Sequence, residues 1–339
     1  MTGSYSILPA LIELGEFQYC TNESNMGDLL IDMATRQFFR RHHLPVRHGS
    51  HHHVVYGGGG RFVPFYGSLE VQAAKLTSAR VERCIILPHS FYQVDSFIHV
   101  LDEHHLVFCR EQRSLEYCRS LNERAQFLPA DDMALHFCPD YSPPPDPEER
   151  EAPHCLKPWA VSLMGKIRKA VQESSFAAFR ENYWQRGAFL PRRGKEGALP
   201  AELVLGQDIS DLWSGTGDGS PEQVFLIRGL LTVLSGLDIV ISDRLHICIA
   251  GLFAGCRVYF LDNNYGKLSG VYRQSLLGIP ARICFIIRNS PDFFPRYFLL
   301  SANSPFPSIS PPLQGKGMDR RCDSGGPASC AAHSTMNFF

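Results

Sequence analysis

Residues 237–262, "LDIVISDRLHICIAGLFAGCRVYFLD", decide the fold. An apolar run with β-branched residues, "LDIVI", hands over through Ser242 and Asp243 to a helical stretch reaching Ala254. Gly255 stops that stretch, and "CRVYFLD" begins a second strand-like run. Strand, helix and strand in this order are the unit of a parallel sheet covered by helices. With the strand ending at Ile241 and Ser242 or Asp243 as the cap, Arg244 and His246 fall on the first helical turn. Unpaired backbone amides and the positive end of the helix dipole point the same way there. Arginine offers a planar fork that matches phosphate or carboxylate, and a histidine beside a bound anion can hold a proton and deliver it. The same residues also permit a plainer arrangement, with Arg244 paired to Asp243 or Asp262 and His246 half-buried.

Outward from this stretch the pattern repeats. "FQYC" precedes the helix-like "MGDLLIDMATRQFFRRH", "HVVY" runs into four glycines, "RCIIL" ends at Pro88, and "LVFC" leads into "REQRSLEYCRSL". In open parallel sheets ligands gather outside the carboxyl ends of strands, so these junctions are the candidate chemistry. "CPDYSPPPDPEEREAPHCLKP", residues 138–158, is too rich in proline and acid for a sheet interior and reads as a linker. A second strand and helix series starts near Ala188. The division expected is an N-terminal half over 1–150, a linker and connecting helices over 151–186, and a C-terminal half over 187–300. A tail over 301–339 has too few periodic apolar positions to order.

The chain has 339 residues, enough for two domains, and its 33 Lys and Arg against 34 Asp and Glu leave a net charge of −1. That excludes a whole-chain field for nucleic acid, so any anion site is local. Eleven cysteines without a CxxC pair fit reduced thiols in a cytosol and give no zinc motif. The N-terminus lacks a basic signal-peptide start, and the most apolar window carries Arg228 and Asp238, so membrane contact is expected to be peripheral at most. His42, His43, His48, His51, His52 and His53 form a loop tract that reads as solvated rather than as a metal centre. "YGGGG" at 56–60 lets a ligand close to the backbone, but "RFVPFYGS" behind it excludes a dinucleotide fingerprint.

The motifs "NMGDLLI", "YGGGG", "ILPHS", "FCREQRSLEYC", "SDRLHICIAGLFAG" and "LDNNYGKLSG" together resemble the polysaccharide pyruvyl transferase family over roughly residues 20–276. The resemblance implies two Rossmann-like halves facing across a cleft, similar to the GT-B glycosyltransferases. It also implies a cytoplasmic reaction, at the inner face of the membrane where the acceptor is lipid-linked. There phosphoenolpyruvate places a pyruvate ketal on a saccharide, with no metal or other cofactor. Carried over residue by residue, it implies donor binding by Arg244, acid catalysis by His246, and a second anion clamp at Arg110, with Arg113 a weaker substitute. His89, Ser90, Gly58 and Gly59 would line the cleft, Asn25 and Asp28 would shape its floor or contact the acceptor, and Lys267 would help with phosphate. Asn25 and Asp28 read equally as a helix cap, and the loop of Lys267 equally as structural. Arg61 stands where an asparagine is more usual, which bears on acceptor contacts. "AFLPRRGKEG" puts the use of Arg192, Arg193 and Glu196 in doubt, and the resemblance fades after Gly278. A nucleotide-sugar glycosyltransferase and a non-catalytic family member are the alternative readings.

Overall fold

The computed structural model describes residues 7–21, 23–64, 69–78, 80–139, 157–173, 187–189, 208–262, 266–277 and 284–287. Residues 140–156 of the expected linker, the segment with Arg192, Arg193 and Glu196, and the stretch 301–339 lie outside these residues.

In chain order the strands are β1 (Phe17–Cys20), β2 (Glu23–Asn25), β3 (Val46–Arg47), β4 (His53–Tyr56), β5 (Gly59–Phe62), β6 (Arg83–Phe91), β7 (His105–Cys109) and β8 (Gln126–Pro129). They continue with β9 (Gly187–Phe189), β10 (Ser214–Thr216), β11 (Ile239–Ser242), β12 (Arg257–Leu261) and β13 (Cys284–Ile287). Among the described residues β3-β1-β4-β6-β7-β8 form one sheet, with β5 joined to β6, and β13-β12-β11-β9 form a second. Every pairing in both is parallel. The fold is thus mixed α/β with a largely parallel central sheet, as the strand and helix alternation predicts. One antiparallel pair, β2 with β10, ties the first part of the chain to the later part.

The helix Met26–Arg41 lies at the centre of the packing. Most of it is buried, and Leu29, Leu30 and Phe38 share one apolar core with Leu226, Leu230, Ile247 and Ala250 from the helices beside the second sheet. Burying each such side chain contributes roughly 1.5–3 kcal/mol, so this helix does much to hold the two sheets together. Its few polar residues are paired where they are buried: Asp32 meets Arg36 at 2.9 Å, and Arg36 reaches the Gly217 carbonyl at 3.0 Å. A second apolar cluster, including Phe62, Phe91 and Phe97, packs within the first sheet and its helices.

Three local expectations are corrected. β6 does not stop before Pro88 but runs through it to Phe91. Its register with β7 shifts between Ile86 and His89, so the proline, which has no N–H to donate, sits at an irregularity in the ladder. The glycine run is not only a loop, because Gly59–Phe62 pairs with β6. Finally, Ser242 is the last residue of β11, paired with Phe260, and its hydroxyl accepts from the Arg244 N–H at 3.0 Å. The helix therefore begins at Leu245, Arg244 is its extended cap residue, and of the two only His246 lies in the first turn.

Candidate active site

The carboxyl ends of β6, β7 and β8 meet the start of the helix Leu245–Phe253, and the side chains of Ser90, Arg110, Glu111, Asp132 and His246 converge there. Arg110, the first residue after β7, is fully buried. Its Nε donates to Ser90 Oγ at 2.8 Å, its Nη1 donates to Asp132 Oδ2 at 2.6 Å, and Glu111 Oε2 lies 3.8 Å from Nε. His246 enters from the other sheet, with Nε2 at 3.3 Å from both Asp132 Oδ2 and Arg110 Nη1. Asp132 is fixed on its other oxygen, which accepts from the Ala134 N–H at 2.9 Å and caps the short helix Met133–His136.

The electrostatics of the two neighbouring acids diverge. Burial alone would raise the Asp132 carboxyl, but Arg110 and then His246 outweigh it and hold it below the usual carboxylate range. Burial dominates at Glu111 and pushes its carboxyl up against the opposing pull of Arg110, Ser114, Ser90 and Lys267. Two acids driven apart in this way around one arginine are an arrangement that supports acid–base work. His246 Nε2 has two uses for its position. Protonated, it donates to the Asp132 carboxylate; neutral at that nitrogen, it accepts from Arg110, so the ring can exchange a proton without moving.

The glycines set how closely this group is approached. A Cβ at Gly27, in the first turn of Met26–Arg41, would stand 3.0 Å from His246 Nδ1, so the bare backbone gives the imidazole its place. A Cβ at Gly60 would lie 3.0 Å from Arg110 Nη2 and 3.9 Å from Lys267 Nζ, so two cations from opposite sheets converge on that backbone. Gly58 abuts the Pro88 carbonyl, and Gly59, at φ +148°, lies against Asp28 and His89. Lys267 opens the helix Lys267–Val271, which approaches closely because Gly270 has no side chain to meet Glu111. Within "YGKLSG", residues from Lys267 onward are therefore helix packed against Glu111, with Lys267 beside Gly60.

His89 is wholly buried, its Nδ1 2.8 Å from the Leu87 carbonyl and its ring stacked on Tyr56. The Nδ1 contact makes that nitrogen the donor, which leaves Nε2 as an acceptor, buried and without a hydrogen-bond partner among the described residues. Burial first, with a smaller contribution from Arg110, depresses its pKa to about 3. The folded value lies below the unfolded one near 6.5, so the neutral ring stabilises the fold fully above that pH. This contribution is lost as pH falls toward 3. We expect urea unfolding of the wild type to lose on the order of 4 kcal/mol from this residue between pH 7 and pH 3. A His89→Gln chain with the same acid sensitivity would refute that assignment.

Arg244 turns to carboxylates that the sequence did not suggest. The expected alternatives were Asp243 and Asp262, but Nε donates to both oxygens of Asp208, at 3.0 and 3.2 Å, and Nη2 donates to Asp208 and, at 3.1 Å, to Asp211. Asp208 is buried and caps the turn Ile209–Leu212, whereas Asp211 is half exposed. Asn25 and Asp28 form a reciprocal cap. Asn25 Oδ1 accepts from the Gly27 and Asp28 amides at 2.8 and 3.2 Å, and Asp28 accepts from the Asn25 amide at 3.4 Å. Arg113 lies over the Tyr92 ring at 5.8 Å. The structure thus brings Arg110, His246, Ser90 and Lys267 together, with His89, Gly59 and Asp28 along one wall. Asp132, Glu111 and Gln274 are the additions. Gln274 Nε2 donates to the carbonyls of Cys109 and Ala130, at 3.2 and 2.8 Å, and pins the second half to the ends of β7 and β8.

Fold and site define a parallel α/β protein with a buried acid–base cluster set against a glycine loop and two cations. The family model for polysaccharide pyruvyl transferase matches residues 25–265, and the chain belongs to that family. No curated protein matches it. Among solved structures it is similar to a functionally uncharacterised protein from Klebsiella pneumoniae subsp. pneumoniae NTUH-K2044, at 22% identity and a TM-score of 0.58. That match covers 83% of this chain and 96% of the other, and the likeness is one of fold. Among the described residues no helix is long and apolar enough to cross a membrane, and no three His, Cys, Asp or Glu side chains group as a metal site.

Proposed function

We propose that the chain transfers pyruvate from phosphoenolpyruvate onto two hydroxyls of a saccharide, with the two sheets as GT-B-like halves and the donor between them. The observation that carries this reading is His246 Nε2 held between a carboxylate and a guanidinium, beside the cations at Gly60. Arg110 and Lys267 offer counter-charges for the donor's phosphate and carboxylate, and the short Gly60 backbone allows close approach. Arg244 reaches the donor by exchanging Asp211, the more exposed of its two partners, for a donor oxygen. Protonated His246 gives its proton to C3 of the enol, which makes C2 electrophilic. One hydroxyl oxygen bonds to C2, the C2–O bond to phosphate breaks, and the second hydroxyl closes the ketal. Of the two hydroxyl protons one balances that placed on C3 and the other leaves with phosphate. On this reading the reaction takes place in the cytoplasm, at the inner membrane face where the acceptor is lipid-linked, with no metal or further cofactor.

A thermal-shift comparison tests the donor. Phosphoenolpyruvate at about 100 times its Kd should add roughly 2.7 kcal/mol of stability to the wild type and much less to Arg244→Ala. Stabilisation by nucleotide-sugars alone would sink the reading in favour of a glycosyltransferase.

A further inference from the structure

A cavity of about 700 Å³ lies along the face of β1 and β4 beneath the helix Leu69–Leu76. That volume is within the range that encloses drug-sized ligands, comparable to a short saccharide. Arg61, Lys75 and Arg80 line it, with His51 and Gln18, and among the described side chains its lining contains no Asp or Glu. In a chain whose acids and bases nearly cancel, a concave surface on which three cations converge is a local field for anions.

The cavity shares a wall with the active site. Tyr56 lines it, and the same ring stacks on His89 with centroids 5.8 Å apart and planes at 23°. Arg61, also in the lining, follows Gly60, the residue whose backbone lies against Arg110 and Lys267. A molecule seated in the cavity would therefore lie against the wall that Tyr56 and His89 form beside the reacting group. A ligand that reaches the site from this direction and meets several cations carries negative charge of its own.

We propose that this cavity binds an anionic portion of the saccharide acceptor, a sugar unit bearing phosphate or carboxylate, with Arg61, Lys75 and Arg80 as its counter-charges. The inference rests on the pyruvyl transfer reading for what the ligand is, but its test does not depend on the donor. Isothermal titration calorimetry of the full chain would use inorganic pyrophosphate, glucuronate and the uncharged methyl galactoside as probes. At least one anionic probe should bind the wild type, and its affinity should fall about tenfold or more in Lys75→Ala/Arg80→Ala, as the loss of two charge-assisted contacts implies. It should stay within a few-fold in Lys267→Ala, whose cation belongs to the donor side. Pyrophosphate as the better ligand assigns the charge to phosphate, and glucuronate assigns it to a carboxylated sugar. Undiminished binding by the double variant, a loss confined to Lys267→Ala, or binding of the neutral galactoside alone would each overturn the proposal. Phosphoenolpyruvate stabilisation measured on the same double variant separates the two questions, since it should persist whatever happens at the cavity.

Discussion

Replacing Arg110 by leucine is expected to cost about 3–5 kcal/mol of stability and to abolish pyruvyl transfer. The guanidinium is fully buried and is the near counter-charge of Asp132, at 2.6 Å, while also holding Ser90. Leucine would leave the Asp132 carboxylate buried with its cation gone, which costs far more than the ion pair itself is worth. The pH dependence gives the sign. Asp132 has a depressed folded pKa, so its stabilising contribution is present above the unfolded value near 4 and disappears as pH falls through the folded one. In Arg110→Leu the same carboxyl, buried without its cation, is raised instead and takes up a proton on mild acidification, so the gap to wild type should be largest near neutral pH and narrow by pH 4. Urea midpoints at pH 7 and pH 4 measure both, and a neutral-pH loss under about 1 kcal/mol would show that the cluster is not held by this charge. Arg110→Leu/Asp132→Leu should recover much of the stability and none of the turnover, which separates the structural from the chemical role.

His246→Ala should do the reverse. The imidazole is partly accessible and contributes one weak contact to each of two neighbours, so folding should change little. Loss of the proton donor should lower kcat by about 10²–10⁴-fold, with phosphoenolpyruvate still raising the melting temperature. His246→Gln provides the sharper control, because it keeps a hydrogen bond to Asp132 but cannot carry a proton at neutral pH. It should be about as slow as the alanine variant. Turnover near wild type in either would remove His246 from the proton transfer.

Of the residues singled out in the sequence, those that the structure brings together sit at local junctions. His246 and Arg110 follow strand ends, where a parallel sheet collects its ligands, and the alternation that placed them also gave the parallel pairing. Asp132 was missed although the same rule reaches it, because β8 is short and "ADD" offers two adjacent aspartates with nothing local to tell them apart. Asp208 and Asp211 escaped for another reason. Their partner Arg244 is more than thirty positions away, beyond a helix and two strands, and a salt bridge over that distance has no period or spacing to announce it. The path of β6 through Pro88 was illegible because a register shift, a property of two strands together, decides whether a proline is tolerated. Gln274 has no signature at all, since its partners are backbone carbonyls that every residue owns.

That glutamine has a consequence beyond anchoring. Its two bonds cross from one sheet's helices to the strand ends of the other, beside the point where a base from one half meets an acid and a cation from the second. Chemistry in this protein is thus a report on contact. A shift of the helix Leu245–Phe253 by an ångström or two against the strand ends would separate His246 from Asp132 and Arg110, so on the proposed reading activity would fail before the shared core does.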